Sequence, residues 1–216
     1  WTEDALATLV GALDEHPSSP AAYGLARATD LEGNVLNGDD LERSMRDRQQ
    51  WQAGGLVDVP PNSPTPFASM IIRNWICTPG TCLIRRSALR SVGVFDAQTS
   101  PADDWDINIR LARQGDFALV DQVVLNWRRH PSSLANTSKR WRRAGFEVRV
   151  RAIRASSNTP EQRAVALELL GRDCQQSRAA IVTAARNAAF RALAGELVFA
   201  LLVHGQHLRF RCLPNG

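Results

Sequence analysis

The sequence predicts an α/β protein that ends in a helical extension, and three observations carry that prediction. Two short runs rich in apolar residues, Ala21 to Ala28 and Phe117 to Trp127, have strand length and lack a helical period. Between Asn74 and Asn136 the signals fall in the order strand, helix, loop, helix, strand, which belongs to an α/β arrangement. From Ser138 onward the pattern is helical and basic. At 216 residues the chain can bury a sizeable core, enough for one domain with an appended piece.

The elements follow in order. Leu6, Leu9, Val10 and Leu13 mark one face of an opening helix that closes near His16-Pro17. The strand at Ala21 to Ala28 comes next, and Asp30 to Asn34 supplies turn chemistry. Gly38 to Gln52 is polar and reads as a helix, whereas Gly54 to Pro66, with four prolines, reads as a mobile loop. Ile76 to Ile84 reads as a strand broken by Pro79-Gly80. Ser87 to Val92 forms a short helix stopped by Gly93. A further helix spans Asp104 to Gln114 and is ended by Gly115. Beyond Ser138 one basic helix is followed by a second from about Pro160 to Leu193. Leu197 to Val203 is almost wholly apolar but too short to cross a bilayer.

Composition excludes fibrous, collagenous and wholly disordered classes: 44% of residues are hydrophobic and 22% charged. A net charge of +4 favours anionic partners without naming one. Cys77, Cys82, Cys174 and Cys212 are read as free thiols of a reducing compartment. The odd spacing of the first two would point them to opposite faces of one strand. The chain starts at Trp1 and not Met, with a helix beginning at once, so it reads as the remainder of something longer; no secretory leader is visible, though a missing beginning would hide one.

Pro101 to Leu111 places Asp103, Asp104 and Asp106 at the mouth of an amphipathic helix, and the following strand ends in Trp127-Arg128-Arg129-His130-Pro131-Ser132-Ser133. A carboxylate at a helix start is held ionised by the dipole and the free amides there, as a general base requires. Such acids also serve simply as helix-end residues. Arg128 and Arg129 suit phosphate neutralisation. Gly80 and Thr81 suit close approach of a substrate to the backbone, or a plain bend. Trp105 suits stacking on a sugar ring, although a first-turn Trp favours the core. A zinc site from Cys77, Cys82, His204 and His207 fits poorly by spacing.

Five motifs in register resemble the second half of the family 2 glycosyltransferases with the GT-A fold. They are Gly80 to Leu89, Val92-Gly93-Val94-Phe95-Asp96, Asp103-Asp104-Trp105-Asp106, Arg110 to Asp116, and Arg128-Arg129-His130-Pro131-Ser132-Ser133. The resemblance covers residues 1 to about 138. It implies a Rossmann-like mixed sheet, incomplete at the N-terminus because the metal-binding Asp-x-Asp element of the family would precede Trp1. It implies an inverting, metal-dependent transfer of a sugar from a nucleotide-sugar donor to a glycan, lipid or protein-linked acceptor. Asp104 would be the base with Asp103 beside it, and His130 would be a ligand to Mn or Mg. Residues 1–138 would then be an acceptor-side half-domain, and 139–216 a basic helical extension.

At the start of the extension, the segment from Lys139 to Arg154 crowds Lys139, Arg140, Arg142, Arg143, Arg149, Arg151 and Arg154 around a single acid, Glu147. With two aromatics and no recognisable module it points away from nucleic acid. Peripheral contact with an anionic membrane, or a lipid-diphosphate acceptor, fits a basic helix beside an apolar one, and a solvated helix face fits as well. The expected location is cytoplasmic, at the inner face of the membrane. The competing reading of the whole chain is a non-catalytic basic scaffold or binding module derived from a transferase.

Overall fold

The computed structural model describes residues 1–38, 40–52, 54–130, 138–186 and 190–211. It is mixed α/β, with a mixed three-stranded sheet and C-terminal helices. Two compact units divide it, Trp1–Val148 and Arg149–Gly216.

In the first unit, β1 (Ala21–Thr29) is the central strand of the order β4-β1-β5. It runs antiparallel to β4 (Cys82–Ile84) and parallel to β5 (Ala118–Arg128). Eight of its nine residues are buried, which explains a strand built of Ala, Tyr and Leu rather than of alternating polar and apolar residues. Helix α1 (Ala5–Glu15) covers one face of the sheet, where Ala5, Leu9, Ala12 and Leu13 pack with Ala22, Ala118 and Val124. The predicted face of this helix needs correction: Leu6 and Val10 are exposed. Two alanines replace them inside because a small side chain lets the helix lie close on the sheet.

The polar stretch expected to be one helix is only α2 (Leu41–Arg46), followed by a hairpin of β2 (Gln49–Gln52) and β3 (Gly55–Asp58). Arg46 bonds Asp121 of β5, and Arg27 of β1 bonds Glu42 at 2.7 Å, so α2 is tied to both parallel strands. The proline-rich stretch is not a structureless loop. It begins in β3, and Thr65 exchanges backbone hydrogen bonds with Phe117 at 2.7 and 3.0 Å. Arg48, fully buried, donates to the carbonyls of Ser63 and Pro60 and to Thr65 Oγ1, and Thr65 Oγ1 also meets the buried Tyr23 hydroxyl at 2.7 Å.

Helix α3 (Phe67–Met70) leads to a second departure from expectation, since only Cys82–Ile84 of the predicted broken strand is a strand. Side chains satisfy the backbone before it: Asn74 Oδ1 accepts from the Ile76 amide, and Thr78 Oγ1 accepts from the Gly80 amide, closing a 3-10 turn over Pro79–Thr81. Helices α4 (Arg86–Val92) and α5 (Asp103–Ala112) stand where the sequence puts them, and Gly93 caps the former. Cys77, Cys82 and Cys174 form no disulfide, while Cys212 lies outside the described residues.

The break expected at Ser138 falls instead inside α6 (Ser138–Arg154), after Val148. Ala144, Phe146 and Val148 are buried, so the first part of this helix belongs to the core of the first unit. In the second unit the long helix expected to Leu193 is α7 (Pro160–Arg186), and the apolar run Leu197 to Val203 lies within α8 (Phe190–Arg211), which packs on α7. Arg149 and Asp173 form an ion pair at 2.7 Å within this unit. Among the described residues no helix is long and apolar enough to cross a membrane.

Candidate functional site

Helix α5 begins at Asp103 without a capping side chain on Ala102, so the acids at its start are helix residues and not N-caps. Their surroundings differ. Asp106 is 8% exposed and bonds Arg110 at 2.9 Å, one helical turn on. Arg110 also donates to the carbonyls of Val92 at 2.6 Å and Val94 at 2.9 Å, tying the segment after α4 to α5. Asp106 of the acidic motif and its partner Arg110 thus hold the fold together.

Asp104 is held by the dipoles of neutral hydrogen-bond donors. Its Oδ1 accepts from the Trp105 amide at 2.7 Å and its Oδ2 from Asn74 Nδ2 at 3.0 Å. Asn74 Oδ1 in turn accepts from Asn108 Nδ2 at 3.1 Å, so the asparagine is fixed from both ends. Burial pushes the Asp104 carboxyl up to about 6, the Asp103 charge beside it adds to the rise, and the donated hydrogen bonds oppose it. Each carboxylate oxygen keeps a lone pair beyond the bond it accepts, so Asp104 can take a proton from a hydroxyl. Asp103 is partly exposed next to it. Sequence reading passed over Asn74 and Asn108. The available signal was spacing, because Asn108 lies four residues from Asp104 and therefore on the same helix face.

Trp105 is 6% exposed; its indole N–H donates to the Met70 carbonyl at 2.7 Å. A side chain on Gly145 would come within 2.8 Å of the ring, so α6 reaches close packing there only because residue 145 is glycine. The indole is core, as a first-turn Trp favours, and the alternative of stacking on a sugar ring is set aside. Thr81 is fully buried, its hydroxyl bonded to the Thr78 carbonyl at 2.9 Å. Gly80 faces Leu125, where an added side chain would meet the leucine at 3.2 Å, and its carbonyl accepts from the Trp1 indole. Close approach at Gly80 is thus to strand β5, and the floor expected for an acceptor is a packed turn.

The basic end of β5 is a separate constellation. Arg128 pairs with Thr29 in the parallel ladder, and the Arg129 amide donates to the Thr29 carbonyl at 2.8 Å. The Arg129 guanidinium lies 4.3 Å from the centre of the Trp127 ring, a cation–π arrangement. His130 follows, exposed, at the carboxyl end of the β1–β5 pair, and Pro131 to Ser133 of that motif lie outside the described residues. No group of three or more His, Cys, Asp or Glu among the described residues is placed to hold a metal ion. Among the described residues, then, neither a Mn or Mg site nor a zinc site is formed, and the side chain of His207 lies outside them. A polar cleft of about 280 Å³ lined by Ser18, Ser19, Arg85, Ser91 and Gln114 sits at the other end of β1, before its first residue.

Compared with known proteins, the sequence matches no family model, no curated protein and no solved structure.

Proposed function

We propose that this chain is the acceptor side of an inverting glycosyltransferase of the GT-A type, with Asp104 as the general base that takes the proton of an acceptor hydroxyl. The observation that carries the reading is the Asp104 setting: a partly buried carboxyl, hydrogen-bonded by neutral donors, with a pKa of about 6. A base is most effective when its pKa lies near the working pH, because it is then ionised and still a willing proton acceptor. As the hydroxyl attacks, its proton passes to Asp104, and the charged base that becomes neutral loses the cost of its burial. The donor would be a nucleotide-sugar, and the acceptor a glycan, lipid or protein-linked group.

Support for the sheet architecture is the parallel β1–β5 pair, whose carboxyl ends carry Thr29 and Arg128 to His130. Ligands of open α/β sheets bind outside that edge. Arg128 and Arg129 would meet the diphosphate there. A divalent ion, if the reaction uses one, would neutralise the leaving diphosphate, and His130 is the residue the family resemblance assigns to it. The lack of three converging donors among the described residues favours the second reading, a non-catalytic module.

The test is release of nucleoside diphosphate from a panel of nucleotide-sugars, with and without Mn, by the wild type and by Asp104→Asn. Acceptor-dependent release that falls about 100-fold or more in the variant supports the base assignment. If no nucleotide-sugar is consumed, and no nucleoside diphosphate raises the melting temperature, the non-catalytic reading takes its place.

A further inference from the structure

The apolar run near the C-terminus is not consumed by packing. Leu197, Val198, Leu201 and Leu202 of α8 are 44%, 62%, 74% and 43% exposed, whereas Ala200 and Val203 are buried. At 100° per residue the four exposed side chains and Gly205 fall in one arc of about 140°, and the buried pair lies on the opposite side. Arginines stand at both edges of the arc. Arg178 of α7 donates to His204 Nε2 at 3.2 Å, about 20° beyond the Leu197 edge. Arg154 of α6 donates to Gln206 Oε1 at 3.0 Å, about 40° beyond the Leu202 edge.

We propose that this face of α8 is an interfacial anchor for an anionic lipid surface, with the leucines entering the headgroup boundary and the flanking arginines meeting the lipid charge. Charge selects this occupant. The unit from Arg149 to Gly216 carries ten Arg and four Asp or Glu, a balance of +6, although the whole chain is only +4. A second copy of the chain, paired about a two-fold axis through the same face, would bring Arg154 and Arg178 against like charge. An anionic membrane offers both an apolar boundary for the ridge and counter-charge for its edges. With no described helix able to cross a membrane, α8 lies along the surface. The anchor stands whether or not Asp104 transfers a sugar.

The full chain is sedimented with vesicles of phosphatidylcholine alone and of phosphatidylcholine mixed with phosphatidylglycerol, and light scattering reports its oligomeric state. Binding is expected to the mixed vesicles only and to weaken as salt is raised. Val198→Ser with Leu201→Ser should weaken it about tenfold or more, through lost apolar burial. Arg154→Gln with Arg178→Gln should weaken it about tenfold through lost lipid attraction. Circular dichroism checks that helix content is kept; if the serine variant loses helix, the arginine pair decides. Three results overturn the proposal: no binding to mixed vesicles, unchanged binding in the arginine variant or in a helical serine variant, or a dimer that the serine substitutions dissociate while vesicles leave it unbound.

Discussion

Asp104 and Asp106 stand two residues apart at the start of α5, yet one face of the helix meets an asparagine and the other an arginine. Asp106 is the more buried, but Arg110 offsets its charge at 2.9 Å, and the pair is spent on holding Val92 to Val94. Asp104 has only neutral donors, so its burial is not compensated and its pKa rises to about 6. Burial alone does not make a reactive carboxylate. A buried acid beside a cation is a strut, and a partly buried acid beside dipoles is left poised to accept a proton.

The strut is the easier side of this contrast to break. Arg110→Met removes four carbonyl or carboxylate contacts and leaves Asp106 buried without its cation, so a loss of about 2–4 kcal/mol is expected in urea unfolding. Arg48→Met should cost about 2–3 kcal/mol for the same kind of reason, since the carbonyls of Ser63 and Pro60 lose a buried donor.

The poised acid should behave in the opposite sense. Its folded pKa of about 6 lies above the ordinary 3.8, so the folded protein keeps the proton longer than the unfolded chain does. Stability contributed by this group is therefore full below pH 3.8, declines as pH rises toward 6, and is lost above it. Asp104→Asn should accordingly stabilise the fold by about 1–2 kcal/mol at pH 8 and by nothing measurable near pH 3.5, read from melting curves at the two pH values. The smallest effect is expected for Asn74→Ala. It removes a hydrogen bond that favours the ionised form, and should move the acid limb of the activity profile to higher pH without abolishing activity.

Much of the frame was legible because strong patterns are local. The strand at Ala21–Thr29, the helices at Arg86–Val92 and Asp103–Ala112, and the strand at Ala118–Arg128 each carry their own period and stop signals. The hairpin of Gln49–Gln52 and Gly55–Asp58 was missed because glutamines carry no hydrophobic alternation. The proline-rich stretch was misread for a different reason: what fixes it is Arg48 and Tyr23, residues distant in sequence whose burial no local window reveals. At the site, the acidic cluster was visible in the sequence, but the division of labour within it was not. Asn74 and Arg110 make that division, and both act through tertiary contacts.

The most direct test of the account is a carbon-detected NMR titration of the Asp104 side-chain carboxyl, assigned by comparison with Asp104→Asn. An apparent pKa of about 6 is predicted. A midpoint at or below the ordinary 3.8 would mean that the carboxylate is solvated or ion-paired, and would contradict its assignment as a partly desolvated, poised base.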